Sequence, residues 1–359
     1  MDAEMLAQLE DGLARFTREK YQRDAWHTYG REVDGYDVRV WTEMGELGWF
    51  TLGLPESVGG TGNSIRDLLP LFLAAGAGLW REPLLQILGD ACGALLALDT
   101  CEARDHLLSG VASGERRIVL ACADATPSLS AEQRTGDLRG HVVQGRARFA
   151  AGATSCSELI VKARSGPGDS TSSLFAVARG APGVRVTSFP TIDHRTAAVV
   201  DFNYAPAYRI ANAAAFAGPP ARSEVLAAAE AVGTMRAVIA ATGAHLSSRK
   251  QFGQPLARFQ VLRHRLVEMH ILQSESSAHL WAVAKAYDDG TADLHHRLLR
   301  LRIQCARAAR WVVQQGIQLH GAMGMTEELP IGDYYKRVLA LESGYLRSHT
   351  ALDELSRLS

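Results

Sequence analysis

Apolar residues recur at two different periods along this chain, and the period changes twice. Near the start, Met5, Leu6, Leu9, Leu13 and Phe16 follow the spacing of one helical face. Residues 1–114 read as helices separated by turns. Leu54-Pro55-Glu56-Ser57-Val58-Gly59-Gly60-Thr61-Gly62 interrupts them, because a proline and three glycines exclude regular helix there. From 115 to 209 the pattern shortens to runs at 118–123, 142–149, 158–164, 173–178, 184–189 and 197–204, rich in β-branched and aromatic residues. Gly, Pro, Ser and Asp separate them, and no helical crossover fits between them, so an antiparallel sheet or barrel is expected.

From 210 to 359 long helical patterns return. Val225, Ala229, Val232, Met235, Ile239, Thr242 and Leu246 form one stripe, with Ser223 as the expected N-cap. Further helices are expected over 260–287, 291–320 and 330–358, and the short turns between them imply an antiparallel bundle. The predicted class is α+β: a helical domain (1–114), a central β domain (115–209) and a C-terminal helical bundle (210–359).

Composition narrows the functions. With 359 residues, 47% hydrophobic and 21% charged, and a net charge of -1, the chain lacks the basic excess expected of a nucleic-acid binder. Cys92, Cys101, Cys122, Cys156 and Cys305 are dispersed, which reads as reduced thiols and implies no metal site. Met1-Asp2-Ala3-Glu4 is acidic where an export signal needs positive charge, and no apolar run approaches the roughly 20 residues that span a bilayer. No membrane span and a cytoplasmic location are therefore expected.

The densest chemistry lies in Ser248-Arg249-Lys250-Gln251-Phe252-Gly253-Gln254-Pro255-Leu256-Ala257-Arg258-Phe259-Gln260, between two helical patterns. A guanidinium fork matches phosphate geometry, and Phe252 offers a ring to a planar group. On its own, Arg249-Lys250 reads as solvated charge at a helix end and the phenylalanines as core. A second segment, Gln318-Leu319-His320-Gly321-Ala322-Met323-Gly324-Met325-Thr326, reads on its own as a helix-ending turn.

In order and spacing, these two segments and the Leu54 to Gly62 loop resemble the acyl-CoA dehydrogenase family, over nearly the whole chain. The resemblance implies a helical domain, a β-barrel and a four-helix bundle, with FAD bound between subunits. It assigns Arg249 and Gln251 to the FAD pyrophosphate, sets Phe252 beside the cofactor and places Gln260 nearby. Gln318 and Gly321 would reach the adenosine side from the partner subunit. The substrate implied is an acyl-CoA thioester, with electron-transfer flavoprotein as one candidate electron acceptor. In that family a glutamate removes the α-proton while a hydride leaves the β-carbon.

The chain departs from this pattern where the base belongs. At the usual distance after Pro330 stands Tyr345, in Tyr345-Leu346-Arg347. At the other known location stands Ser223, with Glu224 one place on. A shift of one residue turns a helical side chain by about 100°, and Glu224 reads more readily as a first-turn acid favouring the helix dipole than as the base. Glu342 is a weaker candidate, and Glu230 and Glu268 have no positional support. Tyrosine ionises only near pH 10, which suits it poorly to this task. The flavin-facing stretch, at Ala121-Cys122-Ala123-Asp124-Ala125-Thr126-Pro127-Ser128 and Leu129-Ser130-Ala131, is altered too.

Both losses resemble the base-lacking chain of bacterial α2β2 acyl-CoA dehydrogenases, which act on bulky intermediates such as steroid side chains. The expectation is therefore a subunit that completes an FAD site with a homologous, base-bearing partner. Two alternatives stand beside it: a self-sufficient dehydrogenase using Glu224, and a flavin-free structural subunit. Gly76 and Gly78 are read as room for a bulky acyl group.

Overall fold

Asp2 opens the first helix by accepting a hydrogen bond from the Met5 N–H at 2.8 Å, which satisfies one donor left over at a helix start. In the computed structural model this helix, α1 (Ala3–Lys20), is followed by α2 (Val38–Glu46), α3 (Ile65–Gly78), α4 (Cys92–Leu96) and α5 (Glu102–Ala112). Seven strands come next: β1 (Ile118–Leu120), β2 (Leu129–Gln133), β3 (Gly140–Ala151), β4 (Glu158–Arg164), β5 (Ser172–Ala178), β6 (Val184–Pro190) and β7 (Thr196–Asn212). Then follow α6 (Ala221–Ser248), a hairpin of β8 (Lys250–Gln251) and β9 (Gln254–Pro255), α7 (Gln260–Asp288), α8 (Leu294–His320), α9 (Ile331–Leu341) and α10 (Ser348–Leu358). The structure describes residues 2–22, 26, 28–29, 32, 34–62, 64–121, 129–133, 140–164, 172–212 and 220–358. The order of helices, strands and helices is the predicted α+β class.

Packing groups the chain into two compact units. One comprises Met1–His27, Ser64–Trp80 and Glu224–Ser359; the other comprises Thr28–Asn63 and Arg81–Ser223. In the helical unit the stripe on α6 is buried from Val225 to Leu246, as its spacing predicts. Among the described residues α6 is the one helix long and apolar enough to cross a bilayer, and 78% of that window is buried inside the protein. Helices α3 and α6 touch backbone to backbone. A Cβ on Gly76 would lie 2.0 Å from Glu230 O, and one on Gly233 would lie 2.0 Å from Leu73 O. Thr234 Oγ1 adds a hydrogen bond to Gly76 O at 3.3 Å. Gly76 and Gly78 therefore do not make room for substrate. Gly76 admits a helix, and Gly78 faces the Trp80 indole, whose Nε1 would lie 2.5 Å from an added Cβ.

Two helix boundaries differ from the expectation. Helix α6 begins at Ala221, so Ser223 is no N-cap; its hydroxyl donates instead to Asp90 Oδ1 at 2.6 Å. The helix expected over 330–358 is broken. After α9 the backbone widens, with the Arg347 N–H reaching Glu342 O at 2.7 Å, and Arg347 turns to φ 27 before α10 starts. Such wide turns recur at functional sites.

In the β unit, strands β2, β3, β7, β5 and β4 close into a ring, the last step being a short β2–β4 contact at Ser130 and Arg164. Strand β7 makes this closure feasible, because its 17 residues pair with β3, β6 and β5 in turn. The all-antiparallel expectation needs correction: β1 and β2 both run parallel to β4. The crossover from β1 to β4 is supplied by strands β2 and β3 themselves, so no helix is required. On these strands Leu159, Val161, Phe175 and Val200 are fully buried. Burial pushes the thiols of Cys92, Cys156 and Cys305 up to about 11, 12 and 12, so none is a nucleophile at neutral pH; Cys122 lies outside the described residues.

Candidate cofactor and base sites

Helix α6 ends with the Arg249 N–H bonded to His245 O at 2.9 Å, and the chain turns at once into the β8–β9 hairpin. Its two-residue loop is Phe252-Gly253, at φ 51 and φ 78. A loop of this kind needs positive φ at both positions, which glycine supplies freely and phenylalanine does not. Holding Phe252 left-handed costs about 1–2 kcal/mol. Its ring is also 90% exposed and meets Phe259 edge-on, with centroids 6.1 Å apart. A strained, exposed aromatic side chain makes this loop a candidate ligand contact.

Beside it, the side chains of Arg249 and Gln251 are exposed and make no hydrogen bond or ion pair among the described residues, their backbones being held by the helix end and the hairpin. Gln260 is the exposed first residue of α7. At the end of α8, Gln318 is exposed and its carbonyl accepts from the Gly321 N–H. Gly321 sits at φ 62 and ψ -141, a conformation essentially reserved for glycine. His320 turns inward and meets the His245 ring at a tilt, with centroids 4.5 Å apart. That contact joins the ends of α6 and α8. The segments around Arg249 and Gly321, which the resemblance assigns to different subunits, therefore share one corner of one chain.

The base positions look different. Glu224 is 8% exposed and accepts from Arg302 Nη1 at 3.2 Å. Burial pushes its carboxyl up to about 7, with Arg302 opposing. The same guanidinium donates through Nε to Leu346 O at 3.1 Å and through Nη2 to Thr350 Oγ1 at 3.3 Å. Glu342 accepts from Arg310 Nη2 at 2.6 Å and from the Ser348 hydroxyl at 3.3 Å. Glu230 is buried against Arg337, with contacts of 2.6 and 2.7 Å. Glu268 is exposed on α7, and Tyr345 is half-buried in the widened turn after α9. Each buried carboxylate here is thus held by an arginine. Leu129 and Ala131 are buried in β2, while 122–128 of the altered wall lies outside the described residues.

Sequence reading missed Arg302 and His245. Arg302 shares the apolar face of α8 with Leu298, Leu301, Cys305 and Val312, so its position forecast a buried cation in need of a partner.

Comparison with known proteins decides the family. Residues 4–115 match the model of the acyl-CoA dehydrogenase N-terminal domain, and residues 222–344 match that of the C-terminal domain. The chain belongs to the acyl-CoA dehydrogenase family. It is 24% identical to the acyl-CoA dehydrogenase FadE27 of Mycobacterium tuberculosis over 323 residues, covering 85% of this chain and 84% of FadE27. Among solved structures, the Tcur3481-Tcur3483 steroid ACAD G363A variant superimposes with a TM-score of 0.86 at 24% identity, over 99% of this chain and 97% of that one. The ChsE4-ChsE5 complex from Mycobacterium tuberculosis gives a TM-score of 0.84 at 20% identity, with the same two coverages.

Acyl-CoA dehydrogenases are flavoprotein oxidoreductases, and FAD is the cofactor the family implies. The corner at the ends of α6 and α8 fits such a group: an unpaired guanidinium, an exposed ring held left-handed and a glycine-only turn offer charge, a flat surface and close backbone approach.

Proposed function

We propose that this chain is a subunit of an FAD-dependent acyl-CoA dehydrogenase that introduces an α,β double bond into a bulky acyl-CoA thioester. A homologous partner chain supplies the base. One observation carries the reading: the side chains of Arg249 and Gln251 at the cofactor corner have no partner among the described residues, while Glu224 is held by Arg302. In this reading Arg249 and Gln251 hold the diphosphate, Phe252 covers one face of the cofactor, and Gln260, Gln318 and Gly321 complete the rim. FAD supplies the hydride acceptor. Arg302 keeps Glu224 engaged and fixes the backbone at Leu346, so this chain moves no proton from substrate.

The steroid class of the neighbouring ACAD and the two-chain ChsE4-ChsE5 complex support a bulky substrate and an unlike partner. Electron-transfer flavoprotein remains the candidate acceptor. The test uses the complex assembled with the co-purifying chain. Arg249→Ala in this chain should empty flavin from the complex, and Glu224→Gln should leave turnover intact. Full flavin in the first variant favours a flavin-free structural subunit.

A second reading rests on Glu224 itself. A buried carboxyl raised to about 7 is poised as a general base near neutral pH. Abolished turnover with retained flavin absorbance in Glu224→Gln would establish that reading and exclude the first.

A further inference from the structure

His245 and His320 meet where the ends of α6 and α8 come together. The two imidazoles lie with centroids 4.5 Å apart and planes tilted by 30°, the first half-buried and the second 7% exposed. His320 Nδ1 lies 2.8 Å from Gly316 O. A carbonyl only accepts, so Nδ1 carries the proton, and Nε2 of the neutral ring keeps its lone pair. His320 therefore sets an acceptor nitrogen in the ring that faces His245.

The surroundings favour an anion over a cation. Arg249 stands one helical turn beyond His245, with its N–H on His245 O. Lys250 follows it and is exposed. On α7, Arg265 turns to Gln315 of α8. The turn Gly321–Met325 carries no titratable side chain, and Glu327 and Glu328 come only after it. With no ligand bound, burial, then the His320 ring, then Arg249 hold His245 below the ordinary histidine range. Among the described residues neither imidazole is hydrogen-bonded or ion-paired to a carboxylate, and the nearby charge that acts on His245 is that of Arg249.

We infer that the His245–His320 pair is a proton-coupled extension of the cofactor corner: when the diphosphate of FAD binds beside Arg249, the pair takes up one proton from solvent. This rests on the reading of that corner as the diphosphate site. The sign follows from the charges. A bound dianion favours the imidazolium that the free site disfavours, so affinity rises as pH falls through the histidine range, by up to about tenfold per pH unit where a full proton is taken up. Above that range no proton is taken up, and Arg249 and the backbone hold FAD alone.

The experiment is an FAD titration of the full chain with its co-assembled partner, followed by flavin fluorescence between about pH 5.5 and pH 8.5. Calorimetry in two buffers of different ionisation enthalpy counts the protons. The wild-type complex should bind FAD more tightly at the acid end, with uptake of about one proton near the midpoint. His245→Phe and His320→Phe should bind with a flat pH profile and no uptake. His245→Asn and His320→Asn serve if a phenyl ring disturbs folding, as read by thermal unfolding. A wild-type profile without slope, or an unchanged slope in the variants, overturns the inference. Arg249→Ala separates it from its parent reading. Weakened binding at every pH in that variant upholds the diphosphate site even where the histidine arm fails, whereas unchanged binding removes both.

Discussion

Arg302 places Nη1 3.2 Å from Glu224 Oε1 while its Nε holds Leu346 O at 3.1 Å. One guanidinium thus ties the start of α6 to the break between α9 and α10, the two places where the family's base was sought. Both side chains are about nine-tenths buried, at 10% and 11% exposure. Removing one partner leaves an uncompensated buried charge, which costs about 3–5 kcal/mol, whereas replacing both by apolar groups costs far less. Arg302→Met should therefore lower stability by about 3 kcal/mol or more. Arg302→Met combined with Glu224→Leu should recover most of that loss in urea unfolding.

Glu224 also predicts a pH dependence. Its carboxyl is raised from an ordinary 4.5 to about 7, chiefly by burial. A group raised on folding contributes stability fully present below its unfolded value and lost as pH rises through its folded one. Between about pH 4.5 and 7 the protein should lose roughly 1.4 kcal/mol per pH unit from this group. Glu224→Gln should lack that contribution, so the two unfolding profiles diverge across this window and run parallel above it.

Much of this was legible beforehand, and the exceptions have physical causes. Helical spacing located α6, α7 and α8 because each buries one stripe. Strand β2 escaped notice because Leu129-Ser130-Ala131-Glu132-Gln133 has no β-branched residue; its pairing comes from β3. The break at Arg347 carries no proline, and its conformation follows contacts made by Arg302 far away in sequence. At the site, Arg249, Gln251, Phe252 and Gly321 were readable as short local motifs. The arginine on Glu224 and the ring contact of His245 with His320 depend on helices meeting in space.

Reciprocal glycines set the crossing of α3 and α6. Gly76→Ala or Gly233→Ala drives a methyl group into backbone 2.0 Å away, which no rotamer change relieves. Each should destabilise the chain by about 3 kcal/mol or more, at the upper end of overpacking effects, as a fall in the urea midpoint. Gly180, with open space around its Cβ position and no positive φ, should accept alanine without measurable loss.

Phe252 is expected to trade stability against ligand. Asparagine tolerates the left-handed conformation, so Phe252→Asn should stabilise the flavin-free protein by up to about 1 kcal/mol. The same change removes an exposed ring from the cofactor corner and should weaken FAD binding several-fold, read as flavin released on gel filtration.

The central claim is that this chain grips FAD while another chain supplies the base. Turnover of an acyl-CoA thioester by the purified chain, reconstituted with FAD alone and then with its co-purifying partner, tests it most directly. The account predicts no turnover from the chain alone and full turnover once the partner is added. Full turnover by a homotetramer of this chain would contradict it.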